Sequence, residues 1–194
     1  MIYNEFKESL TDQARDIVSR YEKILWPDHK VLEIGSGWGI FTRVAVQQGA
    51  DHTTMDKVAG YGRADFLKNT AGCEGKFQQI EADSHELLPT KEQEWAEAFD
   101  VVFVDGDHTQ RGAQDDINWA WKFTKRGGTM LVDDVFHKSN WQPEPADPSG
   151  FNFGVARALW GFLTAHKNEI ADVRVSIVGH GLVEIKKALH KKTA

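Results

Sequence analysis

Five short apolar runs along this chain each end in acid: KVLEI near Glu33, HTTMD at Asp56, FQQIEAD at Asp83, DVVFVD at Asp105, and TMLVDD at Asp133 and Asp134. Helical patterns separate several of them. Strands that alternate with helices imply a mostly parallel sheet, because parallel neighbours need a long crossover. In such sheets ligands bind beyond the carboxyl ends of the strands. The pattern therefore predicts a cleft lined with carboxylates. One terminal acid is an ordinary turn former. Five in succession along a single sheet edge call for another explanation.

The remaining segments fill out that architecture. Residues 5–25 carry Phe6, Leu10, Ala14, Ile17, Val18, Tyr21 and Leu25 at helical spacing, with Pro27 and Asp28 as the stop. This predicts one N-terminal helix within residues 1–27. IFTRVAVQQGA follows the first strand as a helix. QRGAQDDINWAWKFTKRGG predicts a helix with Ala113, Ile117, Ala120 and Trp121 inward and a glycine stop at Gly127. WQPEPADPSG holds three of the five prolines. It marks residues 139–154 as a substrate-side loop, in which Trp141, Phe151 and Phe153 either form an apolar lid or pack against the domain. FGVARALWGFLTAH reads as a helix, and VRVSIVGHGLVEIKKAL as two strands joined at His180 and Gly181. The expected fold is α/β: a Rossmann-like, doubly wound, mostly parallel seven-stranded sheet with a C-terminal antiparallel hairpin. At 194 residues the chain suits a single domain over 1–194.

Charge and composition exclude some partners. A net charge of −6 disfavours gripping phosphate backbones, so no nucleic-acid partner is expected. The lone Cys73 forms no internal disulfide, which suits a reducing compartment. The first sixteen residues are charged throughout and hold no apolar signal core. No apolar stretch approaches membrane-spanning length. The expectation is a soluble cytoplasmic protein with no membrane partner and a small-molecule substrate. The sequence does not indicate the oligomeric state.

EIGSGWG places Gly35, Gly37 and Gly39 between a strand and a helix. Missing side chains let a ligand approach the backbone, and the helix start offers free N–H groups. A dinucleotide site wants its third glycine one position later, where this chain has Ile40. Asp56 is placed to accept hydrogen bonds from both hydroxyls of a ribose. The E-x-G-x-G-x-G pattern resembles motif I of the class I S-adenosylmethionine-dependent methyltransferases, and the resemblance runs over about residues 28–187. It implies S-adenosylmethionine as the cofactor. Glu33, Gly35, Ser36 and Gly37 would form its first turn, with the two glycines passing the methionine part. Asp56 would hold the ribose, Asp83 and Ser84 would flank the adenine, and Asp105 would complete the cofactor side. Asp83 and Ser84 read equally well as the N-cap of a helix over HELL.

Within that class, VFVDGDH followed by LVDDVF resembles the metal-dependent O-methyltransferases, including catechol O-methyltransferase and the macrocin-type sugar enzymes. The resemblance implies Asp105, Asp133 and Asp134 as metal ligands and a base at position 108. Convergent carboxylates repel one another, and a hard divalent cation removes that cost. All-oxygen ligands favour Mg²⁺. Asp133 and Asp134 both reach one ion only if their strand has already ended, since adjacent strand residues face opposite sides. His108 is the first candidate base, because free imidazole titrates near neutrality. Asp107 is the second, or it orients His108. The competing structural role for His108 is to cap the next helix, and His137 reads as a supporting or surface residue. The reading is a methyl transfer to a hydroxyl of a small sugar or catechol-like diol. A metal-independent methyltransferase of the same fold and a non-catalytic adenosylmethionine-binding module stay open. VDGD in place of an Asn/Asp-Pro-Pro-aromatic motif argues against a nucleic-acid amino-methyltransferase.

Overall fold

The apolar runs Val31–Ile34, Val101–Val104 and Met130–Val132 are almost wholly buried, and they form the centre of a seven-stranded sheet. The computed structural model describes residues 3–57, 63–136, 153–177 and 179–190. The strands are β1 (Lys30–Ile34), β2 (Asp51–Asp56), β3 (Gln78–Glu81), β4 (Phe99–Val104), β5 (Thr124–Val132), β6 (Ile170–Ser176) and β7 (Leu182–Lys187). Their order is β3-β2-β1-β4-β5-β7-β6. The first five run parallel, β7 is antiparallel to β5, and β6 is antiparallel to β7. The chain winds outward from β1 to β3 and then returns to the other side of β1 as β4. That reversal opens a crevice between the ends of β1 and β4. Register keeps the strand ends level, with Ile34 beside both Met55 and Val104, and Val104 beside Val132.

Helices are α1 (Tyr3–Ser9), α2 (Asp12–Ile24), α3 (Ile40–Gln47), α4 (Arg63–Asn69), α5 (Ser84–Thr90), α6 (Glu92–Trp95), α7 (Gln110–Phe123) and α8 (Gly154–His166). Strand residues alternate between two cores, as the pleat requires. Val102 and Val104 face Ile117, Trp121 and Phe162 of α7 and α8. Val101 and Phe103 face Val18, Tyr21, Phe41 and Val44 of α2 and α3. Phe41 stacks on Phe103 at 4.2 Å between ring centroids, and Tyr21 meets Phe103 edge-on at 5.4 Å. Fully burying such a ring contributes about 2–3 kcal/mol. Among the described residues, no helix is long and apolar enough to cross a membrane.

Two boundaries differ from the sequence expectation. The N-terminal helix breaks in two. Arg15 donates to the Leu10 carbonyl at 2.7 Å, and the Thr11 hydroxyl accepts the Ala14 N–H at 3.2 Å. Thr11 therefore starts a new helix inside an unbroken apolar stripe. α7 ends at Phe123, before the glycines, because the Thr124 hydroxyl donates back to the Ala120 carbonyl and β5 begins there. Gly127 lies inside β5, opposite the stretch of β4 where the register shifts between Phe99 and Val101.

Candidate active site

The glycine loop is shaped by the strand beside it. Gly35 has φ +88°, and a Cβ there would lie 2.1 Å from the Asp105 carbonyl oxygen. The Asp105 N–H also donates to the Ile34 carbonyl at 2.8 Å, so the ends of β1 and β4 touch backbone to backbone. The first glycine of the motif is thus demanded by packing. Asp56 then organises the turn. Its Oδ2 accepts the Ser36 and Gly37 N–H groups, each at 2.9 Å, and the Ser36 hydroxyl at 3.1 Å. Oδ1 of Asp56 has no partner among the described residues, so it is open to accept a further hydrogen bond. A Cβ on Gly37 would meet nothing within 4 Å, which leaves an open cradle over the loop. Glu33 lies beneath the loop, 1% exposed, taking hydrogen bonds from Thr42 and pairing with His52 Nε2 at 3.0 Å. It ties α3 and β2 to β1 and does not line the cradle. Trp38, at the loop tip, is 53% exposed.

Past β3, Asp83 caps α5. Its Oδ1 accepts the His85 N–H at 3.0 Å, and its Oδ2 pairs with Lys57 Nζ at 2.8 Å. Lys57 holds the Asp83 carboxyl below the usual carboxylate range. Asp116 is a buried carboxylate on α7. Its Oδ2 accepts the Asp107 N–H at 3.3 Å, and its Oδ1 has no hydrogen-bond partner among the described residues. Burial pushes the Asp116 carboxyl up, opposed by Ser84 and by the Asp107 N–H. Asp107 Oδ1 accepts the Thr109 N–H at 2.8 Å, and its Oδ2 lies 3.3 Å from His85 Nε2. Asp107 therefore joins the loops after β3 and β4, and its side-chain partners are Thr109 and His85. The sequence reading missed Asp116 and His85. An acid at position 116, in register with the inward Ala113, Ile117 and Ala120, was the available signal.

The remaining acids meet beyond β4 and β5. His108 Nε2 lies 3.3 Å from Asp105 Oδ1 and 3.6 Å from Asp134 Oδ2. One ligand atom from each of Asp105, His108 and Asp134 falls within 4.8 Å of the others. Asp134 has φ +56°, so the strand has ended and the acid pair diverges. Asp133 turns toward α2, where the Tyr21 hydroxyl donates to its Oδ2 at 2.9 Å and the Asp134 N–H to its Oδ1 at 2.9 Å. Asp133 thus adjoins the cluster without entering it, and His108 stands among the ligand atoms. His180 Nδ1 approaches Asp134 Oδ1 at 3.2 Å. Thr109 caps α7, accepting the Gly112 N–H at 3.0 Å, so His108 is spared that duty. His137, Trp141 and Phe151 lie outside the described residues. Phe153 precedes α8, and a Cβ on Gly154 would come within 2.4 Å of the His108 carbonyl oxygen.

Burial pushes the Asp105 carboxyl up to about 7, and the charges of Asp133 and Asp134 add to it while His108 opposes. Burial likewise takes Asp133 up to about 6, with Asp134 adding to it. The hydrogen bond that His108 donates to Asp105 raises the His108 imidazole. All three shifts leave the folded protein holding protons that the unfolded chain has released, so stability falls as pH rises through this range. With chelator present, the unfolding midpoint is expected to be higher at about pH 5.5 than at about pH 8. A midpoint that climbs with pH would show that these carboxylates are better solvated than their burial implies.

A glycine loop at the switch point, Asp56 at the end of β2 and an acid–histidine cluster beyond β4 and β5 share one sheet edge, in the arrangement of a class I methyltransferase. A sequence family described as a methyltransferase domain matches residues 32–135, just over half of the chain, and the protein belongs to that family. The match runs from β1 to just past the acid pair. No curated protein matches the chain in sequence. Many solved structures share the fold, among them the following three. A Podospora anserina methyltransferase bound to S-adenosylhomocysteine is 18% identical, with a TM-score of 0.63 over 96% of this chain and 82% of its own. A Bacillus cereus O-methyltransferase, also with S-adenosylhomocysteine, is 17% identical, with a TM-score of 0.64 over 96% and 82%. TomG, a Streptomyces achromogenes O-methyltransferase of tomaymycin synthesis in complex with S-adenosylmethionine, is 17% identical, with a TM-score of 0.61 over 97% and 81%.

Proposed function

We propose that the protein is an S-adenosylmethionine-dependent, Mg²⁺-assisted O-methyltransferase acting on a hydroxyl of a small sugar or catechol-like diol. The observation that carries this is the meeting of Asp105, His108 and Asp134 beside the glycine cradle. Two of the three structural neighbours above are O-methyltransferases by name, which supports oxygen as the acceptor. Gly35, Ser36, Gly37 and Asp56 hold the methyl donor, and the loops carrying Asp83, Ser84 and Asp107 bound its adenine side. Carboxylates pushed up by burial fit a hard divalent cation, which Asp105 and Asp134 would hold, with Asp133 adjoining. The ion would supply Lewis-acid activation of the acceptor hydroxyl. His108 accepts the hydroxyl proton, and Asp105, 3.3 Å from its Nε2, stabilises the imidazolium that results. The site's remaining task is to align oxygen, methyl and sulfur and to exclude water. The buried, unpaired Cys73 suits a cytoplasmic setting.

The 3.3 Å contact between His108 and Asp105 also favours a second reading. An Asp–His pair is a general base without any metal. Thermal unfolding with S-adenosylhomocysteine, Mg²⁺ and chelator, followed by methyl-transfer assays on hydroxylated acceptors, separates the two. A ligand at about a hundred times its Kd stabilises by roughly 2.7 kcal/mol, so a shift of several degrees is expected. Absence of any shift would sink the cofactor assignment. A shift with the homocysteine, and full turnover in chelator, would select the metal-free pair.

A further inference from the structure

The sheet ends in β6, and five consecutive residues of that strand, Ala171 to Val175, are exposed. The run IADVRVSI contains no lysine or proline, the residues that usually block an edge from pairing. Its two faces differ. Val173 and Val175 pair with Ile185 and Val183 of β7 and so face the α7–α8 side of the sheet. Val175 is 59% exposed, and Ile177 beyond it 83%. On the opposite face, Arg174 Nε pairs with Asp172 Oδ2 at 2.9 Å. Among the described residues, the edge thus offers unpaired backbone, an apolar stripe and one charge of each sign, two positions apart.

We infer that β6 pairs antiparallel with β6 of a second copy of this chain, about a two-fold axis through Val173. The charges select that register. An axis at residue 172 would set Asp172 against the partner's Asp172, and an axis at 174 would set Arg174 against the partner's Arg174. Like charges directly opposite are destabilising. With the axis at Val173, Asp172 faces the partner's Arg174 and Arg174 faces the partner's Asp172, closing a ring of alternating charge. On the other face, Val173 meets the partner's Val173, so the apolar stripe continues across the axis, and the bulge between Ile170 and Asp172 ends the regular pairing at Ala171. A two-fold interface must be self-complementary, and this edge is so in charge and in its central apolar contact. The sheet then runs continuously through the dimer, with both candidate active sites left at their own β1–β4 crevices.

Sedimentation velocity of the full chain across micromolar to submillimolar concentrations reads this directly. The wild type is expected to form dimers. Asp172→Arg sets arginine against arginine twice and is expected to weaken the dimer by roughly tenfold or more. Adding Arg174→Asp to that variant exchanges the two signs and is expected to restore association. Both positions are exposed and outside the candidate site, so circular dichroism of each variant should match the wild type. A wild type that stays monomeric throughout overturns the proposal. So does a dimer that Asp172→Arg leaves intact, and so does a double variant that fails to recover.

Discussion

Asp105→Asn is expected to lower methyl transfer by about a hundredfold or more while leaving the fold and S-adenosylhomocysteine binding in place. The carboxylate is the point on which the cluster converges. His108 hydrogen-bonds to it, and Asp134 faces it across the imidazole. Asparagine keeps the shape and removes the charge, so it strips His108 of its counter-ion. The same substitution removes a partly buried charge, whose carboxyl is pushed up to about 7 chiefly by loss of solvent. The metal-free variant should therefore unfold no earlier than the wild type near neutral pH. Gain of stability with loss of turnover is the mark of a functional site held under electrostatic strain. His108→Ala should lose turnover similarly. Full activity of either variant on an identified acceptor would remove these residues from the mechanism. Early unfolding of Asp105→Asn would mean that the carboxylate is structural.

The two inner glycines of the loop should fail in opposite ways. At Gly35 a new Cβ would meet the Asp105 backbone at 2.1 Å, in a conformation with φ +88°. The left-handed backbone costs about 1–2 kcal/mol and the overpacking about 1–3. Gly35→Ala should thus lose about 3 kcal/mol or more, or roughly 6–12 °C of midpoint for a domain of this size. At Gly37, φ is +41° and the space is open, so Gly37→Ala should cost only about 1 kcal/mol. Its methyl group, however, would enter the cradle. Donor binding, measured by calorimetry, should weaken sharply there while the fold persists. Equal destabilisation by both substitutions would mean that the loop has no ligand-facing side. Unchanged affinity in Gly37→Ala would move the donor elsewhere.

Strand ends were the most legible feature of the sequence, because an apolar run and its terminal acid are local signals. Parallel order follows from the alternation of elements. What spacing could not resolve was direction. Asp133 and Asp134 are neighbours, yet a left-handed residue sends one toward His108 and leaves the other with Tyr21, a partner 112 positions away. Asp107 sits one residue from His108 but belongs to the network of His85 and Thr109. The break at Thr11 was hidden for the opposite reason: the apolar stripe of the N-terminal region runs unbroken across a change of helix. Fold class survives such local surprises, since it depends on burial pattern. Ligand geometry depends on single backbone angles and on contacts distant in sequence.

The segment that separates Phe136 from Phe153 leaves from one fixed point and returns to another. Val135 and Phe136 donate to the Gly181 and His180 carbonyls, and Gly154 abuts the carbonyl of His108 with no room for a side chain. Departure and return are thus set by backbone contacts, independent of what lies between them. The position of His108 is thus fixed by backbone contacts on both sides of that segment. If residues 139–154 form the expected substrate-side loop, acceptor preference would be free to drift on an evolutionary timescale while the reaction stays the same.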